Sequence, residues 1–216
     1  MIIQDYNNYG DILMGHCSWA NVNDITQKYH DSEWGIPVHD DKLMFEHLSL
    51  ECLQCGLSWG LIMKKRNIFR KCFNNFDYDT VAKFNEAEVQ RILNTEGMLK
   101  SKNKINAIIN NAKCYQKIRE EFGSFCNYIW SYSNGKTIIY DGHKDGKIPV
   151  SNGLSKQISK NLKKRGFKYI GEITIYSHLQ ACGIINDHAK DCPQFDKINK
   201  NYPTIKMKPD NEVPMP

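Results

Sequence analysis

Cys17 and His30 near the start of the chain, and His188 and Cys192 near its end, have the side chains best suited to coordination chemistry. Thiolate sulfur and imidazole nitrogen are the donors of tetrahedral zinc sites, and a closed structural site takes four of them. In Asn186-Asp187-His188-Ala189-Lys190-Asp191-Cys192 the His-x3-Cys spacing lets both side chains reach one ion from a helix end. Nearly the whole domain lies between the two pairs, so a shared ion would tie the ends of the fold together. On spacing alone, scattered buried thiols and surface histidines are the alternative. His16 is a competing ligand beside Cys17.

Glu51 is the second chemical candidate. Met44, Leu48, Glu51 and Cys55 fall on one stripe of a helix expected over 40–55, with Gly56 as its terminator. An inward carboxylate is costly unless paired, and desolvation raises its pKa, which is one way to prepare an acid or a base. A structural acid that caps an amide or pairs with a lysine explains the pattern equally well. Just beyond it, Cys55-Gly56-Leu57-Ser58-Trp59 sets an apolar wedge and a large aromatic, while Trp19 and Tyr29 flank the N-terminal ligand pair. Three aromatics and one acid in a single pocket would suit a flat, cationic or electron-poor heterocycle. Taken singly, each aromatic fits core packing, and Trp130 and Phe76 are assigned to the core.

The third candidate is a basic turn. Gly153 to Gly171 carries six basic residues (Lys156, Lys160, Lys163, Lys164, Arg165, Lys168) and no acidic one, a bias that a solvated helix pair does not need. Leu154, Ile158 and Leu162 keep helical spacing, Gly166 stops that helix, and Gly171 opens an apolar stretch from Ile173 to Ile185. Helix, glycine turn, helix is how a helical hairpin grips a phosphate through turn amides and a helix N-terminus.

The elements that must position these residues read as helices. Asn85-Glu86-Ala87-Glu88 resembles a capping box before Val89, Ile92 and Leu93; Ile105, Ile108, Ile109, Ala112 and Ile118 form a face closed by Gly123. Only Lys136 to Tyr140 is strand-like. The length of 216 residues suits one large domain or two small ones. No apolar run long enough to span a membrane occurs, and Met1 to Tyr6 does not open a signal peptide. Eight cysteines set mostly within helix-like segments fit free thiols in a reducing cytoplasm. A net charge of +5 permits a nucleic-acid partner without requiring one. Residues 1–16 and the tail 199–216, the latter rich in proline, are expected to be poorly ordered around a single domain over 17–198 with its hairpin at about 153–185.

Longer stretches make a more specific pattern. They are Cys-x-Trp at Cys17–Trp19, Tyr-His-Asp-x-Glu-Trp-Gly-x-Pro at Tyr29–Pro37, Leu-Glu-x-x-Gln-x-Gly-Leu-Ser-Trp at Leu50–Trp59 and Lys-Lys-Arg at Lys64–Arg66. Further on come Lys-Ile-x-Ala-Ile-Ile-x-Asn-Ala at Lys104–Ala112, Leu-Lys-Lys-Arg-Gly-Phe-Lys-x-x-Gly at Leu162–Gly171 and Gln-Ala-Cys-Gly-x-x-Asn-Asp-His at Gln180–His188. In unbroken order from about Cys17 to Cys192, the chain resembles the bacterial DNA-3-methyladenine glycosylase I family. The resemblance implies an all-α helix-hairpin-helix DNA glycosylase fold with a zinc-stapled accessory region joining the N- and C-terminal segments. It implies a structural Zn2+ on Cys17, His30, His188 and Cys192, an essential carboxylate at Glu51, and base-binding positions at Trp19, Tyr29 and Trp59. Gly56 and Leu57 would plug the gap left by a flipped nucleotide, and Lys164, Arg165, Gly166, Lys168 and Gly171 would grip the backbone.

The implied reaction is hydrolytic removal of 3-methyladenine from double-stranded DNA without strand cleavage, by a monomer in the bacterial cytoplasm and with no membrane partner. The aspartate that usually follows the hairpin in the wider superfamily is missing from the family, and here no Asp occurs between Asp145 and Asp187. The chain departs from the family pattern at Cys52 and Cys55, where Gly and Ala are usual, and at Leu53. Thr26 stands where a pocket tyrosine is common, and Lys100 and Lys102 replace arginines. A shifted lesion preference, or a DNA-binding module without catalysis, are the alternatives these departures leave. Cys52 and Cys55 are expected to be inert packing residues rather than a redox pair.

Overall fold

Side-chain caps fix where the helices begin. The computed structural model describes residues 17–141 and 148–208, so the expected extension 1–16 and residues 209–216 of the tail lie outside the described residues. A 3-10 turn at Ser18–Val22 leads into α1 (Asp24–Ser32), which starts where Asn23 accepts from the Thr26 amide. Asp40 opens α2 (Asp41–Gln54), Ser58 opens α3 (Trp59–Cys72) and Asp77 opens the short α4 (Tyr78–Val81). Asn85 caps α5 (Glu86–Asn94), Ser101 caps α6 (Lys102–Phe122) and Ser124 caps α7 (Phe125–Ser131). Each such cap is worth about 1 kcal/mol. After β1 (Thr137–Tyr140), Asn152 and Ser155 close a full capping box on α8 (Gly153–Lys164). Two helices lack a side-chain cap: α9 (Glu172–Ala181), entered from Gly171, and α10 (Pro193–Asn201), entered from Cys192.

The fold is built around α2. Ten consecutive residues of it, Met44 through Leu53, are buried, because α3, α6, α7 and α9 pack around its sides. The expected single apolar stripe is therefore too narrow a description: a helix enclosed on all sides must be apolar all round or pair its polar groups. Glu46, His47, Ser49 and Glu51 are the polar residues it buries. Trp130 and Phe76 are core residues as expected, Trp130 donating from its indole to the Val38 carbonyl at 2.7 Å.

The tail differs from expectation. Residues 199–208 are not loose: α10 runs to Asn201, and β2 (Thr204–Met207) pairs in parallel with β1 in the register Thr137↔Thr204 to Tyr140↔Met207. Proline-rich composition hid a four-residue Thr-Ile-Lys-Met segment, whose pairing partner lies far away in sequence. A smaller apolar cluster stands apart from the main core, formed by Cys17, Tyr29, Trp34, Ala181 and Cys192. Trp59 packs against both clusters and marks their seam.

Candidate active site and metal centre

Cys17, His30, His188 and Cys192 meet although they come from opposite ends of the chain. Their ligand atoms lie within 4.8 Å of one another, and all four residues are buried. His188 Nδ1 is 3.2 Å from His30 Nε2 and 3.6 Å from Cys17 Sγ. Cys192 Sγ is 3.6 Å from His30 Nε2 and 3.7 Å from His188 Nδ1. Tetrahedral zinc, with bonds of about 2.3 Å to sulfur and about 2.0 Å to nitrogen, sets neighbouring donors about 3.3–3.8 Å apart. The donor set and its edges fit a metal ion. The other ring nitrogens are held as well: His30 Nδ1 lies 2.7 Å from Asp31 Oδ1, and His188 Nε2 lies 3.2 Å from the Trp34 carbonyl. Those contacts fix each imidazole with its other nitrogen toward the centre.

Local structure explains the convergence. His30 lies in the last turn of α1 and Cys192 at the N-cap of α10, so that helix end supplies one of the two C-terminal donors, while His188 lies on the irregular segment before it. Asn186 accepts from the His188 amide at 3.3 Å, and Asp187 accepts from Tyr176 and Gln180 at 2.6 and 2.8 Å. Gly183, at φ +70°, lets residues 35–37 approach so closely that a Cβ there would sit 2.5 Å from the Pro37 nitrogen. Burial, then the neighbouring His30, holds His188 down at about 4, so it is neutral at physiological pH. Burial pushes the Cys17 thiol up to about 12 in the metal-free protein.

The same segment carries the aromatics. Tyr29 lies 5.3 Å ring to ring from Trp59 and 6.5 Å from Trp19, so the three expected pocket residues are brought together. Trp34, which spacing did not single out, backs Trp19 at 4.9 Å and His188 at 4.6 Å. Glu51 is 5 % exposed, and among the described residues nothing donates a hydrogen bond to its carboxylate. Desolvation alone raises it to about 8. Burial, with Glu51 and then Glu33 nearby, raises Tyr29 well above the ordinary range. The Tyr29 hydroxyl also has no hydrogen-bond partner among the described residues. An unpaired acid and an unpaired phenol beside two indoles leave hydrogen-bonding capacity for a ligand. Thr26, in place of an aromatic, spends its hydroxyl on Asn23 at 3.1 Å.

Beneath the pocket lies a charge network. Glu33 takes both Nη atoms of Arg66 at 2.6 Å, Arg66 Nε reaches Glu46 at 2.5 Å, and Arg70 Nε meets the same Glu46 oxygen at 2.8 Å. Burial works to raise Glu33, but hydrogen bonds from His47 and Arg66 outweigh it and hold the carboxyl down at about 2. The network joins the end of α1 to α2 and α3, and so sets Tyr29 against Glu51. Glu33 and Arg66 sit in the matched stretches and Glu46 and Arg70 outside them, and because the pairing crosses elements no spacing announces it. Replacing Arg66 with methionine takes from the half-buried Glu33 its two-point partner and leaves the buried Glu46 to Arg70 alone, which should cost on the order of 3 kcal/mol. A urea midpoint equal to that of the unaltered protein would show that the network does not secure the fold.

The basic hairpin forms as expected, with Arg165 ending α8, Gly166 at φ +90° and Gly171 opening α9. Lys164 and Lys168 are exposed. Arg165 is placed differently: its guanidinium makes a two-point ion pair with Glu121 and lies 5.2 Å from the Phe122 ring. It thereby ties α8 to α6. Gly56 and Leu57 are exposed between α2 and α3, at the open side of Trp59. Cys52 is fully buried, its thiol pushed far up by burial, as suits an inert packing residue. Lys102 pairs with Glu86 at 2.6 Å and Lys100 reaches the Thr95 carbonyl at 3.1 Å, so both brace α5.

Fold and site together define a helix-hairpin-helix protein that holds one acid in an aromatic pocket behind a Cys/His centre. Residues 19–195 match the family model for methyladenine glycosylase, and the chain belongs to that family. DNA-3-methyladenine glycosylase 1 of Escherichia coli (strain K12) is 40% identical over 179 residues, which are 83% of this chain and 96% of that protein. A crystal structure of 3-methyladenine DNA glycosylase I aligns with a TM-score of 0.78 at 39% identity, covering 82% of this chain and 98% of the other. The Staphylococcus aureus 3-methyladenine DNA glycosylase I, in a structure describing 3-methyladenine recognition, aligns with a TM-score of 0.78 at 35% identity over 83% and 96% of the two chains.

Proposed function

We propose that this protein removes 3-methyladenine from alkylated double-stranded DNA, hydrolysing the N-glycosidic bond and leaving an abasic site. The observation that carries this reading is Glu51: a buried carboxyl with no hydrogen-bond partner among the described residues, near Tyr29, whose ring lies against Trp59. A 3-methylated adenine in DNA is cationic and already a good leaving group, so the site needs recognition more than strong acid catalysis. Extrusion costs a few kcal/mol, least for a lesion that already disturbs its pairing. In the pocket Trp59 and Trp19 would hold the flat ring, while the cationic base would draw Glu51 into its ionised form, whose carboxylate accepts from the base edge and stabilises the positive charge. Water then bonds to the sugar C1′ and gives up a proton, and the base departs with the electrons of the broken bond as neutral 3-methyladenine.

Leu57 would fill the vacated stack from the Gly56 turn, and Lys164, Gly166, Lys168 and Gly171 would hold the phosphate chain. The uncapped start of α9 supports that role. The Cys17, His30, His188 and Cys192 centre would hold a structural zinc that pins the Trp19 and Tyr29 segment over α2 and does no bond chemistry. Among the described residues no helix is long and apolar enough to cross a membrane, and we assign action to a monomer in the cytoplasm. The test is incubation with alkylated duplex DNA and chromatography of the released base. Release of 3-methyladenine supports the reading; another base redirects it to a different lesion, and no release with DNA bound sinks it.

A further inference from the structure

Four carbonyls of the hairpin turn face inward and meet side-chain donors from α2, α6 and α8. Asn111 of α6, 2 % exposed, donates to the Lys168 carbonyl at 2.9 Å and accepts from the Lys168 amide at 2.8 Å. Cys52 Sγ of α2 points at the Tyr169 carbonyl at 3.5 Å, and Ser159 Oγ of α8 donates to the Ile170 carbonyl at 2.7 Å. Asn110 donates to the Gly166 carbonyl at 2.8 Å.

In a trans peptide plane the C=O of one residue and the N–H of the next point in opposite directions. Carbonyls of Lys168, Tyr169 and Ile170 held inward therefore turn the amides of Tyr169, Ile170 and Gly171 outward. Among the described residues these three amides have no intramolecular acceptor. Successive outward amides make a concavity that binds an anion. The turn is also strained: Tyr169, a bulky non-glycine residue, sits at φ +56°. Such a conformation persists only where its surroundings over-determine it.

We propose that Asn111 is a positioning residue for DNA binding, which with Ser159 holds the strained turn so that three consecutive amides face a phosphate. This deepens the reading of the hairpin as the phosphate grip and rests on it. Asn111 grips Lys168 from both sides, whereas the Cys52 thiol contributes only long, weak contacts to the Lys168 and Tyr169 carbonyls at 3.8 and 3.5 Å. Cys52 adjoins Glu51 on α2, so the node behind the nest is also continuous with the floor of the base pocket. Asn111 touches neither the base nor the phosphate.

The experiment compares Asn111→Ala and Ser159→Ala with the unaltered protein in three measurements. These are affinity for an undamaged duplex, affinity for free 3-methyladenine by tryptophan fluorescence, and single-turnover excision at increasing enzyme concentration. Loss of a two-point buried hydrogen bond should weaken duplex binding on the order of tenfold for Asn111→Ala and by a few-fold for Ser159→Ala. Free-base affinity and the maximal single-turnover rate should stay near those of the unaltered protein, while the half-saturating enzyme concentration rises. Unchanged duplex affinity overturns the proposal. So does a parallel loss of base affinity and maximal rate, which would mark Asn111 as a general structural residue. If Asn111→Ala does not fold, Ser159→Ala decides by the same criteria. Unaltered protein that binds duplex but releases no base would instead sink the proposed function, leaving duplex affinity to judge this inference.

Discussion

Glu51→Gln will lose excision activity by on the order of 10²-fold or more and will at the same time gain stability in alkaline solution. The loss follows because glutamine cannot supply the negative charge that the cationic base requires. The gain follows from linkage. Burial raises the folded-state value of Glu51 to about 8, above the ordinary value of 4.5. The folded protein therefore prefers the protonated acid, and the penalty for ionising it is absent below the unfolded value. That penalty grows as pH rises from about 4.5 and is complete above about 8, where it reaches at most about 5 kcal/mol. Glutamine escapes it. Thermal melts of both proteins from pH 5 to pH 9 should coincide at the acid end and diverge at the alkaline end, the variant melting higher. Parallel curves over that range would mean that the carboxyl is not desolvated as the structure has it, and full activity of the variant would remove its essential role.

Stripping the metal, or replacing Cys192 with serine, will lower the thermal midpoint by roughly 10 °C. Binding to the folded state alone stabilises by about 4 kcal/mol at a thousandfold excess over the dissociation constant, and a chain of this size moves roughly 2–4 °C per kcal/mol. The Cys17 thiol, pushed to about 12 by burial, must give up its proton to bind, so loading should release acid and weaken as pH falls. Calorimetry of the stripped protein with added zinc, in buffers of different ionisation enthalpy, measures both. A melt unaffected by denaturing chelation, with no protons released on loading, would leave the four residues as a packed cluster only.

Much of this was legible because the informative residues are local in kind even where they are remote in sequence. The start at Asn85, where the side chain caps although the Glu88 half of the box goes to Arg91, the glycine stops at Gly123 and Gly166 and the hairpin stripe through Leu154, Ile158 and Leu162 are short-range patterns, and the structure reproduces them. The four ligands were visible as residue types, and the family resemblance paired them. What stayed hidden is what only packing decides. The enclosure of α2 on every side turned one stripe into ten buried residues, and with it created the need for the Glu33, Arg66 and Glu46 network. Arg165 counts as a phosphate ligand by composition, yet Glu121, 44 residues away, claims its guanidinium. β2 escaped because parallel pairing with β1 is a non-local event that four residues between prolines do not announce.

The docking of the Gly35–Val38 stretch onto the end of α9 has a consequence for how the protein is made. The Gly35 amide donates to the Ala181 carbonyl at 3.3 Å and Val38 to the Cys182 carbonyl at 3.0 Å, and His30 meets Cys192 across 162 positions. A chain emerging from the ribosome therefore makes the tryptophan and tyrosine of its pocket early and can seat them only near the end of synthesis, when the segment beyond α9 arrives. Until then the wall that faces Glu51 has nothing to stand on. An incomplete chain of this protein would keep the hairpin proposed to hold DNA but lack a finished pocket, so binding without cutting is the expected behaviour of products that stop short of Cys192.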